Sequence, residues 1–237
     1  MKRKLFLMLV VILSALSASA HDFKVDGITY EKNDDGKSVT VTYGDYTGDI
    51  AIPEKVTYDG ATYSVTKIGI GAFMNCSELT SVTIGNSVTE IGIGAFSGCT
   101  GLTSVTIGNS VTEIGDRAFE GCRGLTSVTI PNSVTLIGQY TFEGCTGLTS
   151  LTYNAKKATL RSACFEGCQF TNLVIGDQVE SIPSNLATGQ AKLSTVTIGT
   201  SVTSIGNGAL LFIMQKTAQA PKKQKTHGSN TVRLPVL

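Results

Sequence analysis

The side chains in this sequence that are able to do chemistry are few in kind and regular in spacing. Cys76, Cys99, Cys122, Cys145 and Cys168 recur every 23 residues, and Cys164 is the sixth thiol of the 237-residue chain. Cysteines at such intervals raise disulfides first. Stacked one layer apart, their Cα atoms would lie near 5 Å, inside the range a bridge tolerates. Side chains of one column point the same way, however, so their sulfurs would stack rather than face each other, and a buried thiol behaves as a small hydrophobe. The expectation is a column of thiols. A zinc site has no support: there is no C-x₂-C, and His21 and His227 flank the array at its two ends.

The same shortage of histidine argues against nucleophilic catalysis of the Ser-His type, which needs that base beside the nucleophile. Carboxylates are better placed. Glu90 and Glu113 share a position in the spacing, as do Glu120, Glu143 and Glu166. Adjacent layers could bring two of them to the roughly 5–9.5 Å separation that glycosidases use. An exposed, solubilising ladder with at most weak affinity for calcium is the plainer reading, and Asp34-Asp35 reads as a turn. Arg117, Arg123, Lys156, Lys157 and Arg161 offer an anion or partner contact, or merely a soluble surface. No catalytic residue, metal ligand or cofactor is assigned.

The elements that must position these side chains follow from the repeat. Phe73, Phe96, Phe119, Phe142 and Phe165 keep the same 23-residue interval, as do Leu79, Leu102, Leu125 and Leu148. The best-kept unit, residues 79–101, reads LTSVTIGNSVTEIGIGAFSGCTG. Alternation in Ser81-Val82-Thr83-Ile84 marks a short strand with one buried face, and Gly85-Asn86 ends it. Val88, Ile91, Ala95, Phe96 and Cys99 then follow at three- and four-residue spacing, which predicts a turn and a short helix or 3₁₀ segment. One such unit closes no core alone and must stack on its copies. The predicted object is a repeat solenoid of about six turns, α/β or mainly β, with short parallel strands about 4.8 Å apart.

Composition agrees. Charged residues make up 16%, below the roughly 25% of ordinary soluble domains, and the net charge of +1 argues against a nucleic-acid binder. That total hides an acidic body, with 11 basic and 18 acidic residues over 21–210, and a tail, 211–237, with five basic residues and no acidic one. Residues 1–20 have a basic start, a nine-residue apolar run and Ala18-x-Ala20, the layout of a signal peptide cleaved before His21. The apolar run is too short to span about 30 Å of hydrocarbon, so no transmembrane segment is expected after cleavage.

The pattern LxxVxI-(G/P)-NSVTxIGxxAFxGC over 65–210 resembles the BspA-like, treponemal-type leucine-rich repeat, as do the lead-ins Gly48-Asp49-Ile50-Ala51-Ile52-Pro53 and Val65-Thr66-Lys67-Ile68-Gly69. The resemblance implies a right-handed leucine-rich-repeat solenoid in a secreted or cell-surface bacterial protein. It implies a non-enzymatic protein that binds other proteins, host extracellular or cell-surface proteins among them.

Departures from the repeat carry further expectations. Tyr153 replaces the strand-end Ile, and Lys157 falls where Val88, Val111 and Val134 sit. An ammonium does not stay unpaired in an apolar column, so a bulge is predicted there, with Ala158 filling in. One residue is missing between Cys168 and Phe170, and Ala187 and Gln190 take the next Phe and Cys positions. Residues 21–64, with turn signals at Asp34-Asp35-Gly36 and Asp59-Gly60, read as an N-terminal β cap. After Leu210 the period stops without a recognisable cap. The tail reads as a frameshifted, non-native end, or else as a basic linker or sorting segment.

For function, the expected site is the outward, concave face of the strands. Ser81 and Thr83, Ser104 and Thr106, Ser127 and Thr129, and Ser150 and Thr152 should form two polar columns, a wide surface for a protein partner. Threonine also simply favours strands. The alternatives are a structural scaffold without a dedicated ligand and, more remotely, a glycan-active enzyme or an ice-binding solenoid.

Overall fold

The computed structural model describes residues 21–210 and the strand Thr231–Arg233. The expected signal peptide and residues 211–230 and 234–237 of the tail lie outside the described residues. The chain opens with β1 (Phe23–Val25), β2 (Ile28–Lys32) and β3 (Ser38–Val41), paired antiparallel in order. β4 (Gly48–Ile52) follows, then the hairpin of β5 (Lys55–Tyr58) and β6 (Ala61–Ile68). Its turn is Asp59-Gly60, with both φ angles positive at 50° and 74°, the geometry that a two-residue hairpin with strand-matching twist requires.

Each later unit contributes one long and one two-residue strand. These are β7 (Leu79–Ile84) with β8 (Glu90–Ile91), β9 (Ser104–Thr106) with β10 (Glu113–Ile114), and β11 (Ser127–Ile130) with β12 (Leu136–Ile137). β13 (Ser150–Tyr153) with β14 (Thr159–Leu160), β15 (Asn172–Ile175) with β16 (Ser181–Ile182), and β17 (Thr195–Ile198) with β18 (Ser204–Ile205) complete the array. Long strands pair in parallel with long, and short with short, at matching repeat positions. β4 joins the long ladder, with Ile50 opposite Val82 and Ile52 opposite Ile84. Residues assigned to the cap by sequence thus form a first rung, and the solenoid has about seven turns rather than six. A last strand, β19 (Thr231–Arg233), pairs antiparallel with β17, so the tail contributes an element that its irregular sequence does not announce.

The helical segment expected after each short strand does not form; among the described residues there is no helix. Two left-handed residues interrupt it in each rung whose turn is described throughout, as at Gly94 (φ 60°) and Gly98 (φ 76°). Helical φ is negative throughout, and a single left-handed residue ends a helix. The segment is instead a chain of β-turns, closed by Ala95 N–H to Gly92 O, Ser97 N–H to Gly94 O and Cys99 N–H to Phe96 O. The intervening amides of Gly94, Phe96 and Gly98 donate to Asp116, Ala118 and Glu120 of the next rung. A helix would have consumed these donors internally; here they knit a third side of the solenoid along its axis.

Between the three sides lies one continuous core. Phe73, Phe96, Phe119 and Phe142 are wholly buried, with Phe165 nearly so. The rings stack with centroids 4.7, 5.0, 5.1 and 5.2 Å apart, and Tyr46 heads the column 4.3 Å from Phe73. Close rung approach also explains the glycine that follows most short strands, Arg161 and Pro183 being the exceptions: a Cβ on Gly92 or Gly115 would stand 2.8 Å from the backbone of the rung before.

Both ladders break once, and each break coincides with a proline. In the long ladder Gly85, Asn154 and Gly176 donate their N–H to Ile52, Ile130 and Tyr153. Pro131 occupies that position in its unit and has no N–H to give, and the ladder parts between β9 and β11. In the short ladder Gly115, Gly138, Arg161 and Gly206 make the equivalent bond. Pro183 does not, and the ladder parts between β14 and β16.

At the irregular fourth unit no bulge forms. Leu136 stays opposite Thr159, so the 23-residue register holds. Lys157 leaves the core, its side chain 70% exposed and its ammonium 2.8 Å from Glu180, which also takes Lys156 at 2.9 Å. Ala155 is wholly buried while Ala158 is only partly so. Tyr153, wholly buried where other rungs have isoleucine, supplies volume that the missing valine gives up.

Candidate functional site: the strand face and its groove

The long strands hold every second residue outward, and the register aligns these in columns. Ser81 lies opposite Ser104 and Thr83 opposite Thr106; Ser127 lies opposite Ser150 and Thr129 opposite Thr152. Thr83, Ser104, Thr106, Ser127 and Thr129 are exposed, and Ser81, Ser150 and Thr152 half-exposed. All eight sequence-predicted residues therefore share one face. Ser81 and Thr80 both donate hydroxyl hydrogen bonds to Asp49, which holds its carboxyl below the usual range at the N-terminal end of that face.

The break at Pro131 shapes this face. A groove of about 780 Å³ lies there, and Thr106 and Thr129 line it together with Val105 and Ile107. Asn109, Asn132, Asp177 and Gln178 line it as well, and Asn132 Nδ2 donates to Gln178 Oε1 at 3.1 Å. The lining mixes apolar side chains with amides and hydroxyls. Sequence reasoning missed the groove; the available signal was Pro131 in a position held by Gly85, Gly108, Gly176 and Gly199 in other units.

The other predicted chemistry is disposed differently. Cys99, Cys122, Cys145 and Cys168 each donate a thiol hydrogen bond, at 2.9–3.2 Å, to the Phe carbonyl one rung earlier. The thiols are spent on the backbone, and all six are buried. Burial pushes the Cys99 and Cys164 thiols up to about 12. The thiolate is the reactive form. At pH 9, where an ordinary thiol is largely ionised, the native column should therefore resist iodoacetamide, and all six should react once the chain is unfolded in guanidinium. Rapid native labelling at several of these sites would contradict the burial. The sign for stability follows: these raised values favour the fold fully below about pH 9, and that contribution falls away as pH climbs towards 12.

Three of the five predicted carboxylates, Glu90, Glu120 and Glu143, lie beside cations. Glu90 stands opposite Glu113, but Lys67 holds Glu90 at 2.8 Å. Arg117 holds Glu120 at 2.7 Å, approaches Glu143 at 3.9 Å and stacks on Tyr140 at 4.7 Å. Their side chains are 31–41% exposed beside cations, the reverse of the apolar pocket that keeps a general acid protonated. Arg161 lies 3.6 Å from Asp116, so four of the five predicted cations, all but Arg123, are engaged within the chain itself. Among the described residues no group of three or more His, Cys, Asp or Glu is placed to hold a metal ion.

With this geometry the sequence matches the BspA-type leucine-rich-repeat region in six copies, over residues 66–186 and 112–232. The chain belongs to the BspA-type leucine-rich-repeat family. Similar solved structures include the Treponema pallidum leucine-rich-repeat protein, 24% identical with a TM-score of 0.63, covering 78% of this chain and 85% of that one. A leucine-rich cell-surface protein of Faecalibacterium prausnitzii is 30% identical with a TM-score of 0.53, covering 79% of this chain and 56% of that one. The pneumococcal vaccine antigen PcpA shares the fold at 22% identity and a TM-score of 0.60; this chain spans 50% of it. No curated protein matches the chain in sequence. The ring and thiol columns are both products of the repeated Phe-x-x-Cys positions of this chain.

Proposed function

We propose that this BspA-type chain is a non-catalytic binding protein, exported to the cell surface or beyond, that recognises another protein through the hydroxyl-lined strand face. Adhesion to host or neighbouring-cell proteins is the use this reading favours. The observation that carries it is the groove at the ladder break, which is lined by Thr106 and Thr129 of the predicted threonine column. Support for location comes from the signal-peptide layout of residues 1–20 and from the F. prausnitzii cell-surface relative. Parallel strands repeated along a solenoid give a broad, rigid surface that large partners use.

The test is binding of the full-length chain to immobilised extracellular-matrix proteins and to intact epithelial cells. Binding should be saturable, and Thr106→Lys with Thr129→Lys should weaken it at least tenfold while the melting temperature stays within a few degrees. Glu113→Gln and Glu143→Gln should leave it unchanged. Unaltered binding by the double lysine variant would overturn the site; no binding to any surface would favour the scaffold reading.

A further inference from the structure

The long ladder ends on β17, and an unpaired sheet edge invites another strand. Thr195 N–H points back into the sheet, to Thr171 O at 3.0 Å. Alternation along a strand then turns the N–H and C=O of Val196 away from β15, towards the free edge. There β19 pairs antiparallel, with Val232 opposite Val196, Thr231 opposite Thr197 and Arg233 opposite Thr195. Every other neighbour on this ladder runs parallel. β19 therefore does not continue the parallel stack as a further rung, and residues 211–230 separate it from Leu210.

Beside this edge the last rung is left partly wet. Ile175, Val179 and Ile182 are buried in the rung before, whereas Ile198 and Val202 are only half-buried and Ile205 is 54% exposed. β18 pairs with β16 and, among the described residues, with no strand beyond it. The end of the solenoid thus combines an apolar surface with a backbone edge held by a strand of three residues.

We propose that the β17 edge is a peptide-binding site working by strand addition, and that Thr231–Arg233 occupies it in cis. Its partner is an extended polypeptide segment that runs antiparallel to β17 and places a β-branched residue opposite Val196. Backbone hydrogen bonds supply the affinity in such sites, and the alternate side chains supply the selectivity. A longer strand in the same register makes more bonds than the three-residue pairing described for Thr231–Arg233. The tether raises the local concentration of the cis strand, and the site opens when that strand is removed.

The experiment compares the full-length chain with full-length Val232→Pro, which lacks the N–H that Val196 C=O faces and cannot hold the ladder. The probe is a fluorescein-labelled peptide with the sequence of residues 226–237, alongside a scrambled peptide of equal composition. Val232→Pro should bind the native-sequence peptide at least tenfold more tightly than the parent chain does, and the scrambled peptide weakly. Hydrogen exchange at the Val196 amide should be slow in the parent, at least tenfold faster in Val232→Pro, and slowed again by the peptide. Equal binding of both peptides, or of both proteins, would overturn the proposal. So would fast exchange at Val196 in the parent chain, a reading that needs no variant.

Discussion

Phe119→Ala should lower the free energy of unfolding by about 3–5 kcal/mol, the range for truncating a fully buried aromatic. The ring has no exposed surface. It stacks on Phe96 at 5.0 Å and on Phe142 at 5.1 Å, with interplanar angles of 5° and 2°. Parallel rings at that separation are offset, the arrangement their quadrupoles prefer, and each such pair adds about 0.5–1.5 kcal/mol beyond area burial. The gap cannot close by collapse, because three hydrogen-bonded sides fix the rung spacing independently of the core. Urea denaturation followed by circular dichroism measures the loss. Because each rung contacts only its neighbours, the variant should also broaden the transition, the two halves of the array melting apart. A loss below about 1 kcal/mol would mean that the ladders, and not the ring column, hold the rungs.

Gln190→Ala should cost about 2–5 kcal/mol, for a reason special to the shortened unit. Elsewhere the amide that opens the next unit donates to the cysteine carbonyl, as Leu148 N–H does to Cys145 O. With one residue missing, Phe170 N–H donates instead to Gln190 Oε1 at 3.0 Å. Gln190 Nε2 meanwhile donates to Phe165 O at 3.1 Å, the bond that a thiol makes in the regular rungs. One buried side chain thus serves two backbone groups, each worth about 1–3 kcal/mol when left without a partner. Gln190→Cys restores the thiol bond to Phe165 O but leaves the Phe170 amide unserved, so its stability should fall between parent and alanine variant. Equal midpoints for the cysteine and alanine variants would show that the amide bond, rather than the carbonyl bond, carries the effect; equal midpoints for alanine and parent would refute the account.

Much of this was legible in the residues because a repeat states its packing many times over. A phenylalanine every 23 residues can be buried only by the phenylalanine of the next rung, so period and core column are one fact. The outward hydroxyl columns follow from the two-residue alternation of strands once the long strands are aligned. What misled was local spacing. Ala95, Phe96 and Cys99 have helical intervals, yet the left-handed residues at Gly94 and Gly98 are set by bonds to the next rung, which no single unit displays. Lys157 was correctly expelled from the core, but its destination depended on Glu180, a rung further along the chain.

The amino-acid sequence by itself determined that identical units stack, which side chains line the interior, and which face is lined with hydroxyls. Those follow from nearest-neighbour burial, and the burial of each unit is written in its own residues. The tertiary structure alone decided where the ladders part, that Gln190 bridges two rungs, and that three residues of the tail close the last strand. Each of these depends on a backbone donor meeting an acceptor from another turn, or on a proline failing to supply one, and a donor's partner is fixed only when the turns are laid side by side.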